Sequence, residues 1–455
     1  MLVGLADSKS INNFIMETLM LDFQWEESDS QGKNILFFLK SRALTVGEVK
    51  DVSDFDAFFD ALLYGDAILL LDGYTLGLVI SMKGWEHRGV TEASTETVIR
   101  GSKESFNENL RTSTAMIRRR IKDPRLWVES RQLGKVTKTN IALMYIKGIV
   151  NDKVVEEVRE RLDRIDIDGI LEGGYIEQMI QDETFTPFPT IYNTERPDVV
   201  AADLLEGRVA ILIDGTPFVL IVPVVFTQFF QAAEDYYQRW DLASLLRILR
   251  FLCFFIALLS PSLYIAITTF HQEMIPSDLL TNLMAQREGV PFPAVVMEVT
   301  FEILREAGIR MPKAVGQAVS IVGTLVVGTA AVDPGMVSAA MVIVVSITAI
   351  SNFVFPSVNM AIPVRILRFP FMILAASFGL LGIIAGFIAL LLHLCSLRSF
   401  GIPYMSPFAP LIPSDLKDTL IRVPMWAMFT RPRLMNQKNI VRERTPEPEP
   451  PKSKE

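Results

Sequence analysis

Four apolar runs in the second half of the chain, Phe251–Phe270, Val315–Val332, Met336–Val358 and Phe369–Leu392, contain no Asp, Glu, Lys or Arg. Each is close to the ~20 residues that a helix needs to cross the hydrocarbon core. The chain before Gly207 reads instead as charged, water-soluble protein. This split predicts an α/β cytoplasmic N-terminal region followed by an all-α polytopic membrane domain. A receptor, channel, transporter or scaffold fits such a chain; a soluble enzyme does not.

The formal net charge of −8 argues against a nucleic-acid partner, which would call for a basic footprint. The two cysteines, Cys253 and Cys395, lie in or beside apolar runs and supply no disulfide framework. Met1–Asn12 lacks the basic and apolar regions of a signal peptide, so the N-terminal region is expected to stay in the cytoplasm. His87, His271 and His393 are isolated, and no P-loop, GxSxG or HExxH occurs. No catalytic residue, cofactor or metal is therefore expected.

An internal repeat organises the soluble part. Gly65–Ile80 (GDAILLLDGYTLGLVI) and Gly207–Val222 (GRVAILIDGTPFVLIV) align at a constant offset of 142, with Gly65/Gly207, Leu70/Leu212, Asp72/Asp214, Gly73/Gly215 and Leu78/Leu220 coinciding. Each copy reads as strand, Asp-Gly turn, strand, and Asp-Gly favours a two-residue type I′ hairpin. Two related α/β subdomains follow, residues 1–100 and 123–224, joined by a basic helical connector over 101–122. Ile141–Ile149 is strand-like and Asp152–Ile165 is a charged helix. Residues 225–250 are expected to form an amphipathic interfacial helix carrying Tyr236, Tyr237 and Trp240. The membrane domain spans 251–395, a membrane-proximal segment covers 396–435, and the proline-rich, charged residues 436–455 form a disordered tail.

Two membrane segments carry candidate chemistry. In Val315–Val332, Gly316, Ser320, Thr324 and Gly328 recur every four residues, with Gln317 beside them. Such a stripe either packs helices closely or lines a hydrated lumen. Gly382 and Gly386, with Gly379 a turn earlier, read as helix packing. The helix Pro293–Ala307 is short and carries Glu298, Glu302 and Arg305 on one face, with Glu306 beside them. In a ring of subunits Glu298 and Glu302 would form acidic belts selective for cations. The alternative is an interfacial helix with local pairs Glu302–Arg305 and Glu306–Arg310.

Arg239, Arg247 and Arg250 precede the first run, and Arg431, Arg433, Arg442 and Arg444 follow the last. The positive-inside rule places both ends in the cytoplasm, with four spans between them and Pro293–Ala307 re-entrant or interfacial. Basic stretches at Arg310–Lys313 and Arg365–Arg368, read as outside loops, oppose that arrangement.

The stretch VPFPAVVMEVTFEILREAGIRMPKAVGQAVSIVG at Val290–Gly323 is similar to the A-subunit family of bacterial spore germinant receptors. Ser338–Val345, RILRFPF at Arg365–Phe371, SLRSFGIPYMSPFAP at Ser396–Pro410, Glu104–Ile121 and Gly207–Pro223 extend the resemblance over roughly residues 65–430. Asn107, Ser113 and Thr329 depart from the family's wording. The resemblance implies a GerA-type spore germination protein of the spore inner membrane. It further implies a homo-oligomer, a pentamer, forming an ion-release pore beside a B-type transporter-like subunit and a C-type lipoprotein subunit. An accessory A-type paralogue and a non-conducting scaffold are the alternatives. A secondary transporter is disfavoured by the lack of an inverted repeat.

Overall fold

A computed structural model describes residues 49–81, 93, 95–277, 292–310, 338–435 and 439–448. The chain divides into two compact units. One comprises residues up to Gln181 together with Ile191–Pro223 and Phe429–Glu443; the other holds Asp182–Thr190, Val224–Met428 and Arg444–Glu455. The apolar helices all belong to the second.

In the first unit, β1 (Val49–Val52), α1 (Phe55–Leu63), β2 (Ala67–Leu69) and β3 (Gly77–Ile80) form a small sheet of order β1-β3-β2. Further on come α2 (Leu110–Arg120), β4 (Leu126–Leu133), β5 (Thr139–Ile146), α3 (Asp152–Asp163) and α4 (Gly173–Ile180). They are followed by β6 (Tyr192–Thr194), α5 (Pro197–Leu205), β7 (Val209–Ile213) and β8 (Val219–Val222). These strands make a five-stranded sheet of order β4-β5-β7-β8-β6. Side chains of β7 and β8 are buried on both faces, as expected of central strands covered on both sides.

The segments β1-α1-β2-β3 and β6-α5-β7-β8 share one topology and one register. Asp51 pairs with Leu78 and Leu69 with Leu78, whereas Asn193 pairs with Leu220 and Ile211 with Leu220. Each position, and both helix boundaries, is displaced by the offset of 142 found in the sequence. The Asp-Gly pairs do sit in the hairpin connections, but not as two-residue type I′ turns. Leu69 pairs with Leu78 and Ile211 with Leu220, so both loops are longer. Gly73 and Gly215 have φ of 82° and 92°, while neither Asp72 nor Asp214 is left-handed. Asp214 instead accepts from the Leu110 N–H at the start of α2.

The connector helix begins later than Ser102, at Leu110, where the Asn109 side chain accepts from the N–H groups of Arg111 and Thr112. Residues 439–443 are ordered rather than part of a free tail: Thr430 bridges Val441, and Arg442 pairs with Glu206 at 3.3 Å. Arg431 donates to the carbonyl of Leu205 at the end of α5.

In the second unit the expected interfacial helix over 225–250 is replaced. Two short 3-10 turns, Phe226–Phe230 and Ala233–Tyr236, precede α6 (Trp240–Phe270), a continuous helix of 31 residues. Phe226, Phe229 and Phe230 are buried, and Phe230 stacks on Phe251 at 4.2 Å, so aromatic packing overrides helical periodicity here. Arg247 and Arg250 both donate to Asp235, and Arg247 also reaches Asp418 at 2.7 Å. The guanidinium groups of Arg247 and Arg422 lie 5.3 and 5.4 Å from the centre of the Tyr236 ring.

The remaining described α-helices are α7 (Phe292–Arg310), α8 (Ala339–Phe353) and α9 (Val358–Ser396). By length and composition, α6 and α9 are long and apolar enough to cross a membrane. At 15 residues, α8 is shorter than the expected run Met336–Val358; Phe355-Pro356 stops it, since a residue before proline disfavours the helical region. The apolar run Phe369–Leu392 is not one straight span, because Gly379 breaks α9 with φ 59° and ψ −141°. A Cβ at Gly382 would lie 2.2 Å from the Leu374 carbonyl oxygen, and one at Gly386 3.1 Å from the Phe371 ring. Residues eight apart in a straight helix are separated by about 12 Å. The second arm of α9 therefore folds back on the first.

Desolvation pushes the half-buried Glu96 carboxyl up to about 7, despite a hydrogen bond from Thr194 and the nearby Arg196. Glu177 is likewise raised to about 7, by desolvation and then by Glu172. Each folded-state value lies above the unfolded one, so the stability they contribute is complete below about 4.5 and is lost as pH rises toward 7. The melting temperature of the first unit's transition should fall between pH 5 and pH 7, and Glu96→Gln should flatten that slope; an unchanged slope would refute the assignment. In the second unit, Gly382→Leu should abolish the folded state in detergent, as gauged by fluorescence-detected gel filtration. Gly308→Leu, at a position with nothing within 4 Å, should leave the elution profile unchanged.

Candidate functional site

Proline creates the site. Pro261 lies inside α6 and has no N–H, so the carbonyl of Ala257, four residues earlier, loses its helical donor. Ala257 sits near the middle of the Phe251–Phe270 apolar run, far from either helix end. An orphan carbonyl there needs another donor. Arg368 of α9 supplies it, its Nε donating to Ala257 O at 3.0 Å.

The same guanidinium forms an ion pair with Glu298 of α7 through Nη1. Glu298 and Arg368 side chains are 0% and 1% exposed, and the pair is enclosed by apolar helices. Arg368 thus ties α6, α7 and α9 together at one level. The second oxygen, Glu298 Oε1, and the second amine, Arg368 Nη2, have no hydrogen-bond partner among the described residues.

A second pair lies one turn away. Arg365 Nε donates to both oxygens of Glu302 at 2.9 Å, and its Nη2 also bonds Glu302. With 298 opposite 368 and 302 opposite 365, α7 and the first arm of α9 run antiparallel. The side chains of Glu302 and Arg365 are 18% and 25% exposed, so this pair is less enclosed than the first. Thr348 of α8 meets Ser260 at 3.3 Å, and Ser338, which caps the start of α8, meets Tyr264 at 2.9 Å, placing small hydroxyls along the same stretch of α6. At the end of α6, the break at Gly379 packs against Phe270 and His271.

Of the residues singled out from sequence, Glu298 and Glu302 come together in this site, but each is balanced by an arginine. Their partners are Arg368 and Arg365, in place of the expected local pair Glu302–Arg305. Arg365 and Arg368 are in turn helix-interior residues, not loop residues outside the membrane domain. Gly382 and Gly386 lie against the first arm of α9 and not in the site. Gly316, Gln317, Ser320, Thr324 and Gly328 fall outside the described residues. The participants missed by sequence reasoning are Pro261, Ala257, Arg365 and Arg368. The available signals were a proline inside an apolar run and two arginines in RILRFPF between Pro363 and Pro370.

The profile of the Bacillus/Clostridium GerA spore germination protein family matches residues 1–434. Spore germination protein KA of Bacillus subtilis (strain 168) is 52% identical over 456 residues, covering 99% of this chain and 83% of that protein. An uncharacterized membrane protein of the same organism, YfkQ, is 48% identical over 383 residues, covering 83% of this chain and 75% of its own length. The crystal structure of the N-terminal domain of the A subunit of the Bacillus megaterium spore germinant receptor GerK3 is 46% identical, with a TM-score of 0.38, over 48% of this chain and 79% of that one. With the family profile spanning nearly the whole chain and relatives of this similarity, the protein belongs to the GerA spore germination family.

Proposed function

We propose that this chain is the membrane subunit of a nutrient-responsive spore germinant receptor and forms an oligomeric ion-release channel in the spore inner membrane. Receptor subunits of this family are not enzymes. The observation that carries the conducting reading is the enclosed Glu298–Arg368 pair with Glu302–Arg365 beside it. Ionised side chains amid apolar helices are costly, and within a membrane domain they mark candidate ion pathways. In this reading copies of the chain assemble as a homo-oligomer, a pentamer, with B-type transporter-like and C-type lipoprotein subunits as partners. Glu298 and Glu302 act in permeation through their arginine partners, Gln317, Ser320 and Thr324 face the lumen, and Gly316 and Gly328 allow close helix packing.

Topology supports the same arrangement. Ile191–Pro223 and Phe429–Glu443, on either side of the helical stretch, belong to one compact unit, so the chain leaves that unit and returns to it. In this reading an even number of crossings lies between them, with both ends in the cytoplasm. With Arg365 and Arg368 inside a helix, the basic stretch that opposed this orientation no longer counts as a loop.

A non-conducting scaffold is the second reading, favoured by the arginine neutralisation of both carboxylates. Purified full-length protein in planar bilayers distinguishes the two. The channel reading expects unitary currents, and Glu302→Gln, which leaves Arg365 without its counter-charge, should lower the cation-to-anion permeability ratio severalfold. Absence of unitary current, with and without B- and C-type subunits, would favour the scaffold.

A further inference from the structure

We infer that the Ala257 carbonyl and the Glu298 carboxylate form a binding site for one monovalent alkali cation, and that the Arg368 guanidinium is the tethered cation occupying it. Three observations converge. Pro261 leaves Ala257 O without a helical donor, so this carbonyl dipole is available to a non-helical partner. Glu298 contributes a full negative charge with 0% exposure, and its Oε1 has no hydrogen-bond partner among the described residues. The Ala257 carbonyl oxygen and Glu298 Oε2 are bound by the same cationic group, Arg368, at Nε and Nη1 respectively.

Backbone carbonyls and carboxylates are the oxygen donors by which membrane proteins replace an ion's hydration shell. The charge balance selects the ion class. One carboxylate against one guanidinium is neutral, and a monovalent cation in place of the guanidinium preserves neutrality. A divalent ion would leave a buried excess positive charge, which is costly. Withdrawal of Arg368 would therefore exchange a fixed cation for a mobile one without leaving Glu298 unpaired. Arg365, one turn earlier on α9, remains bound to Glu302 and keeps that arm attached to α7. The site stands on the geometry of the three helices; only its use in permeation rests on the channel reading.

The test is thermal unfolding of the full chain in detergent, in potassium chloride against N-methyl-D-glucamine chloride at equal ionic strength. Arg368→Gln removes the tethered cation, and potassium should then raise the melting temperature by more than about 3 °C, as for any ligand that binds only the folded state. Arg368→Met, of similar length and unable to donate, should respond alike. Wild type, with the site occupied, and Glu298→Gln/Arg368→Gln, with the charge removed, should be insensitive to the change of cation. Potassium-insensitive melting of both single variants overturns the site, as does failure to recover either one folded in potassium. An equal response from wild type or from the double variant also overturns it, since the ion would then bind elsewhere. These readouts are independent of current: a silent bilayer leaves the site standing, and insensitive variants that conduct leave the channel standing.

Discussion

Taking a carboxylate out of water costs several kcal/mol unless a partner charge and hydrogen bonds meet it. Glu298 is buried among apolar helices, and Arg368 is what meets it. The guanidinium simultaneously satisfies the carbonyl that Pro261 leaves open in α6. Apolar helices have no hydrophobic reason to choose one neighbour over another within a lipid environment, so polar contacts and close packing decide which faces meet. The arrangement of α6, α7 and the first arm of α9 follows from this group, and Gly382 and Gly386 determine how closely the second arm approaches. A packing glycine and a charged triad perform different tasks here: one permits contact, the other specifies it.

The first unit is built on a different principle. Two copies of a strand-helix-hairpin segment occur with the same register, but their surroundings differ. In the second copy, β7 is flanked by β5, α5 packs with α2, and the returning segment around Arg431 and Arg442 closes over the end of α5. In the first, Phe55 and Phe59 of α1 are exposed at 78% and 40%. Position 201, the counterpart of 59, carries a buried alanine. One local fold thus serves two environments, and the identity of the residues on its helix records the difference.

Much of this was legible in the sequence because it depends on local rules. The offset of 142 located both hairpins, since a shared register needs only matching strand and loop lengths. Apolar runs located α6 and the core of α9. What failed were inferences about partners. The acidic face of α7 was visible, but whether Glu298 meets a neighbour on its own helix or an arginine 70 residues away is set by tertiary packing. Gly379 read as a packing residue, whereas its positive φ folds α9 back on itself, a role that composition alone does not separate from close contact. The aromatic cluster at Phe226–Phe230 disrupted a helix that periodicity favoured, because its rings pack against Phe254 and Tyr404. The two-residue type I′ turn failed in both copies because the strands stop pairing at Leu69–Leu78 and Ile211–Leu220, leaving longer loops, and in the second copy the Asp214 side chain accepts from the start of α2.

Charge reversal tests most directly whether the Glu298–Arg368 pair organises the helical unit. Glu298→Arg and Arg368→Glu, made singly, each place like charges side by side in an apolar setting, whereas the two together restore an ion pair with its polarity inverted. Unfolding free energies of the four proteins in detergent give the coupling between the positions. The account predicts a favourable coupling of about 2 kcal/mol or more, with recovery of folded protein in the double variant. Additive losses, with the double variant no better folded than the singles, would contradict it.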